Sequence, residues 1–300
     1  MSPTRALFVI VLVVGGCGKK KPAETDDPAE GSGSAMTGVA LAAHYNKKCI
    51  DGDLEACRSL AIMYTEGVGV PKDLRRATAL FGQSCNGGNL SACNQVAMAM
   101  VEGVGVAKDP AKGAALYQTS CDGGYKLSCR NLGMMLRDGY GVGVDVDRAA
   151  KLLDTACTGG APYACTNAGD LDVTRALLKE SVGHYKRGCD DGDAVACRHM
   201  GIAYLAGKGL PTSTSAASVW LDKGCRLDDP IACRVIGAMR LQGVGVAQDV
   251  ALGTQLLHRA CDHKDTEACL ALEQLKQGSG AGSGSAPGSG SSAGSGSGVR

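Results

Sequence analysis

The chain has 300 residues, with 31 Lys and Arg against 30 Asp and Glu. That balance leaves no basic footprint for nucleic acid, and the 4% aromatic content means that any core is built from Ala, Leu, Val, Met and Cys. Fifteen cysteines sit poorly with a reducing cytosol.

Residues 1–16 read as an export signal: Arg5 gives a short positive start and Ala6–Val14 an apolar run. The run is too short for a membrane span, which takes about 20 apolar residues, so it reads as a signal h-region. Gly15 and Gly16 then precede Cys17, and this Val-Gly-Gly-Cys ending resembles the bacterial lipobox. The resemblance implies cleavage before Cys17 and acylation of its thiol. The alternative is an ordinary signal with a cysteine nearby. Gly18 follows Cys17, which by resemblance to Gram-negative lipoproteins implies the outer membrane, facing the periplasm or the cell surface, with the membrane reached through the lipid anchor only. Residues 17–38 form the lipidated Cys and a flexible tether, with no apolar period to offset the entropy of ordering. Residues 278–300 are a Gly/Ser-rich tail, read as a disordered coil.

Between these ends the cysteines fall into pairs: Cys49 and Cys57, Cys85 and Cys93, Cys121 and Cys129, Cys157 and Cys165, Cys189 and Cys197, Cys225 and Cys233, Cys261 and Cys269. Every pair is Cys-x7-Cys, and successive pairs are 36 residues apart except one step of 32. A fixed period of this size predicts a solenoid. Asp53 is a candidate N-cap for a helix from Leu54 to Glu66, with Asn89, Asp193, Asp229 and Asp265 in the same slot. Gly67-Val68-Gly69-Val70 stops that helix. Asp73 caps the next one, as do Asp109, Asp145, Ser213 and Asp249 in their units. Each unit is therefore two antiparallel helices, and each cysteine pair spans a tight corner. Seven local disulfides are expected, each joining a cysteine to the one eight positions on. Zinc does not fit this spacing, and free buried thiols do not fit an exported chain.

The unit Cys-x-x-Gly-x-x-x-Ala-Cys-x-x-Leu-Gly-x-x-Tyr-x-x-Gly-x-Gly-Val-x-x-Asp-x-x-x-Ala-x-x-Leu resembles the Sel-one-like repeat (SLR), a relative of the tetratricopeptide repeat. Its double-cysteine form is similar to the Helicobacter cysteine-rich protein (Hcp) group. The resemblance covers residues 39–277. Ala56, Ala92, Ala196, Ala232 and Ala268 precede the second Cys, and Ala61, Ala97, Gly133, Gly169, Gly201 and Gly237 allow close helix packing. It implies an all-α, right-handed α/α superhelical solenoid of about seven disulfide-stapled helical hairpins. The function it implies is a cell-envelope scaffold binding a protein, peptide or peptidoglycan fragment in a concave groove, as a monomer. The alternative it implies is penicillin binding with weak β-lactamase activity.

Two units depart from the pattern. Cys157–Gly188 is four residues short and reads Asp170-Leu171-Asp172-Val173-Thr174-Arg175 where the Gly-x-Gly-Val loop belongs. Its first helix ends early or its turn is rebuilt, either by drift or as a change of superhelical pitch. The next unit carries Gly207-Lys208-Gly209-Leu210 and the only Trp, Trp220, a core residue or a ligand platform. Tyr64 and Tyr204 share a slot and are expected to pack.

The residue after each second cysteine forms a ladder: Arg58, Asn94, Arg130, Thr166, Arg198, Arg234 and Leu270. The four arginines are the groove-binding candidates, able to hold carboxylates bidentately. Alternatively, each pairs with a capping Asp of a neighbouring repeat. No catalytic residue is identified. No Lys has Ser three residues before it, and no nucleophile elbow stands within the repeats. His44, His184, His199, His258 and His263 fall at unrelated repeat positions. No metal motif is present, no Cys-x-x-Cys supports a heme- or redox-handling scaffold, and no cofactor is expected.

Overall fold

The computed structural model describes residues 37–280. Fourteen α-helices and no strands form there: α1 Gly38–Ile50, α2 Leu54–Glu66, α3 Leu74–Asn86, α4 Leu90–Glu102, α5 Pro110–Asp122, α6 Lys126–Asp138, α7 Val146–Thr158, α8 Ala164–Thr174, α9 Leu178–Asp190, α10 Ala194–Ala206, α11 Thr214–Arg226, α12 Pro230–Gln242, α13 Val250–Asp262 and α14 Thr266–Gly280. Each helix packs on the next along the chain, which makes a solenoid of seven hairpins. No helix among the described residues is long and apolar enough to cross a membrane.

Local chemistry sets the boundaries. Asp53, Asn89, Asp193, Asp229 and Asp265 accept backbone N–H bonds one turn into the even-numbered helices. Asp73, Asp109, Asp145, Ser213 and Asp249 do the same for odd-numbered helices. The corner between stapled helices needs a left-handed residue, supplied in the first hairpin by Gly52 at φ 97°. All seven expected disulfides are formed, across Cα separations of 4.4 to 4.9 Å. Seven disulfides suit an oxidising, exported environment.

The core lies between unstapled neighbours such as α6 and α7. A small residue on the even-numbered helix admits a large one from the odd-numbered helix. A Cβ on Gly133 would stand 2.9 Å from Leu153, and one on Gly201 would stand 2.5 Å from Leu221. Leu153 and Leu221 are fully buried. Trp220 is half-buried against Cys189, Ala196 and Cys197, so it serves the core. Tyr64 is buried and Tyr204 packs at the edge of the core.

The glycine loops lock repeats together. Gly105, at φ 71°, lies so close to the start of α3 that a Cβ would stand 2.2 Å from the Leu74 carbonyl oxygen. The short unit lacks this lock, and the structure decides between the two readings of it. Helix α8 ends at the position where its counterparts end, nine residues past its second cysteine, and the turn is rebuilt as Arg175-Ala176-Leu177. Ala176, at φ 60°, supplies the left-handed residue of this turn, one position past the glycine that closes α2, α4, α6, α10 and α12. The beginning of α8 changes too. Ala161 stands in the cap slot and offers no acceptor, so the helix starts two residues late behind Tyr163 at φ 59°.

Candidate functional site

The repeat geometry places equivalent residues of the even-numbered helices in a row. Helix α8 approaches both α6 and α10 directly, whereas no two odd-numbered helices approach to that degree. The even-numbered row is therefore the tighter-curving layer around the short repeat.

Along this row the residue after the second cysteine meets the cap of the next even-numbered helix directly in three repeats, at Thr166, Arg198 and Arg234. Arg198 Nη1 lies 3.1 Å from Asp229 Oδ2, with both side chains well buried. Arg234 Nε lies 3.1 Å from Asp265, and its Nη1 lies 2.8 Å from Glu267 Oε2. Thr166 Oγ1 donates to Asp193 Oδ2 at 2.5 Å. Arg58 closes on Glu55 in its own helix, and Asn89, the next cap, donates to the same carboxylate at 3.0 Å. The Arg58 hydrogen bond holds Glu55 below the usual carboxylate range and raises Arg58 in turn. One carboxylate thus neutralises the arginine and joins two repeats.

Arg130 differs from the other three. The residue 31 positions on is Ala161, not an acid. Its Nε donates to Asn167 Oδ1 at 2.7 Å, a longer bond of 3.5 Å runs to Asn131, and its guanidinium lies 5.9 Å from the Tyr163 ring centre. Among the described residues it forms no ion pair. Burial lowers its proton affinity, with Tyr163 and Asp193 opposing that shift from a distance.

A second row, not recognised from the sequence, stands one turn further along the same helices. Five residues after the second cysteine come Ile62, Met98, Met134, Asp170, Ile202, Ala238 and, in the last repeat, Gln274. Met98 and Ile202 are exposed, the other apolar members half-buried. The signal was available in the repeat alignment, but exposure decides its meaning. Asp170 interrupts the row. Its Oδ1 accepts from the Tyr185 hydroxyl at 2.7 Å, and His199 stacks on Tyr185 with centroids 4.7 Å apart. Burial pushes the Tyr185 phenol up, reinforced by its bond to Asp170. Burial pushes His199 down, opposed by Asp170.

Behind this cluster, polar side-chain contacts tie the short repeat together. His184 Nδ1 lies 2.7 Å from Asp172 on α8, and its Nε2 lies 3.3 Å from Asp154 on α7. Arg175 in the rebuilt turn reaches Asp147 on α7 at 2.9 Å. Neither histidine was singled out by sequence, because neither holds a repeating position. Every repeat cysteine is bonded to its partner, so none is a free nucleophile. Among the described residues no three His, Cys, Asp or Glu side chains converge to hold a metal. The acylation candidate Cys17 lies outside the described residues.

The Sel1 repeat profile matches residues 54–89, 90–125, 126–160, 194–229 and 230–265. The chain belongs to the Sel1 repeat family. The unmatched internal stretch, 161–193, holds the short repeat. Its seven disulfides follow the cysteine-paired Hcp pattern. Two solved Sel1-type structures share the fold. One is a protective antigen of uropathogenic Escherichia coli with an SLR fold, 22% identical at TM-score 0.71 over 81% of this chain and 53% of its own length. This chain therefore spans about half the length of that antigen. The other is a Sel1 repeat protein of Oxalobacter formigenes, 23% identical at TM-score 0.70 over 77% of this chain and 68% of its own. Cysteine-rich protein B of Helicobacter pylori matches over 43% of this chain and 96% of its own, at 21% identity and TM-score 0.37. No curated protein matches. Sel1 repeats are typically protein-interaction modules, so a binding scaffold is the class of function this architecture serves.

Proposed function

We propose that this chain is an exported, acyl-anchored scaffold that holds a partner protein, peptide or cell-wall fragment against its row of even-numbered helices. The observation that carries the reading is the exposure of Met98 and Ile202 at one repeat position, flanked in the same row by the half-buried Ile62, Met134 and Ala238. A solenoid gains nothing in its own core from apolar groups left at the surface, whereas a partner that covers them gains burial. At the end of the row, Arg234, Ala238 and Leu241 of α12 join Ala271 and Leu275 of α14 around a shallow cleft of about 440 Å³. The segment 17–38 serves as tether, Cys17 as the acyl anchor after removal of 1–16, and 278–300 as a tail beyond the repeats.

The test is capture from envelope extract by the mature, oxidised chain and three variants. Met98→Lys and Ile202→Lys are expected to lose the captured partner. Val219→Lys is expected to keep it, because Val219 is an exposed residue on the odd-numbered helix α11. Equal capture by all four proteins would overturn the assignment of the face. Metabolic labelling with palmitate, lost in Cys17→Ser, tests the anchor separately. A chromogenic cephalosporin is expected to be stable in the presence of the folded chain.

A further inference from the structure

Arg130 is the break in an otherwise closed pairing rule. Arg198 meets Asp229 and Arg234 meets Asp265, each 31 residues on. Arg58 shares Glu55 with Asn89, again 31 residues on. At the position due to neutralise Arg130 stands Ala161, and the same substitution removes the cap of α8. The guanidinium that results is partly desolvated, oriented by Asn167 and Tyr163, and makes no ion pair among the described residues, with Asp193 acting on it without contact. Desolvation makes a bidentate carboxylate contact stronger than it would be in water. One turn along the same helix is Met134, and at the same position on α4 is the exposed Met98.

We propose that Arg130 is the anchor for a carboxylate on the bound partner, carried next to an apolar side chain that covers Met98 and Met134. The inference rests on the scaffold reading above and names one chemical contact within it. Ala161 is the specificity determinant: by withholding the internal acid it keeps Arg130 open to an external one. The carboxylate is either a chain terminus or an acidic side chain.

The test measures anisotropy of fluorescein-labelled Gly-Ala-Met-Ala-Met with the full oxidised chain. Three probes separate the sources: the free terminal carboxylate, the terminal amide, and the amide with Glu replacing the second Ala. Saturable binding is expected for one or both carboxylate-bearing probes, at least about tenfold tighter than for the amide. Arg130→Gln removes that selectivity. Ala161→Asp is expected to remove it too, by supplying an internal partner, while Ala161→Ser caps the helix without charge and keeps it. Circular dichroism confirms that all three variants fold. Binding that ignores the carboxylate, or survives Ala161→Asp unchanged, overturns the anchor. Should the envelope partner depend on Met98 and Ile202 but not on Arg130, the scaffold stands and the anchor fails. Should the carboxylate probes depend on Arg130 while capture ignores Met98 and Ile202, the anchor stands and the scaffold face fails.

Discussion

The regular repeats and the short repeat solve the same packing problem by different means. In the regular repeats a capped helix, a disulfide corner and a glycine loop recur, and successive repeats interlock through backbone contact, as where Gly105 meets Leu74. Around α8 the disulfide is kept, but the cap and the glycine loop are gone. Side-chain contacts replace them: an ion pair of Arg175 with Asp147, and His184 held between Asp172 and Asp154. Backbone contacts in a dry interface are insensitive to pH and salt, whereas partly exposed ion pairs are weak and screened. The contacts that stand in for the glycine loop at the short repeat are therefore more sensitive to salt than the backbone contact they replace. The short repeat is also the region that breaks both the arginine ladder and the apolar row.

The largest expected effects test the staples. Replacing both Cys85 and Cys93 by Ala, where Asn89 still caps α4, should cost about 2–3 kcal/mol, from loop closure alone. Replacing Cys157 and Cys165 should cost more, because α8 has no side-chain cap to hold its first turn. Chemical denaturation of the two variants measures the difference; equal losses would mean that the late start of α8 carries no penalty.

The glycine loop and the rebuilt turn should respond with opposite signs. Gly105→Ala forces a Cβ into the Leu74 carbonyl at positive φ and should cost more than about 1 kcal/mol. Ala176→Gly relieves a left-handed alanine and should stabilise by about 1 kcal/mol. Destabilisation in both would show that Ala176 earns its place through packing. Ala161→Asp restores the missing cap and is expected to stabilise by about 1 kcal/mol, read as a higher denaturation midpoint.

The smallest effect is on pH dependence. Burial depresses the His199 imidazole in the folded chain. As pH falls through about 6.5, the unfolded chain takes up that proton first. Stability that is complete above this range is then lost on acidification. His199→Gln should flatten the fall in melting temperature between about pH 7 and 5.5. An unchanged slope would assign the dependence to other groups.

Much of the fold was legible in the sequence. The cysteine pairs, the ten caps and the loop glycines act over eight residues or fewer, so a single repeat contains all the information they need. The short turn was legible only as a choice, since a shortened helix and a shortened loop have the same length. The arginine ladder was legible as a row, and pairing with a neighbouring cap was one of its two readings. Which arginines are satisfied was not, because that depends on the next repeat's cap and on helix α8 starting two residues late.

The sequence by itself determined the period, the staples, the caps and the all-α solenoid, because each is a local interaction repeated along the chain. Only the tertiary structure decided that Met98 and Ile202 stay exposed, that His184 and His199 join separate acid clusters, and that Arg130 is without an acid. Burial and charge balance depend on how one repeat is set against the next, and that setting is fixed by packing across helices far apart in the chain.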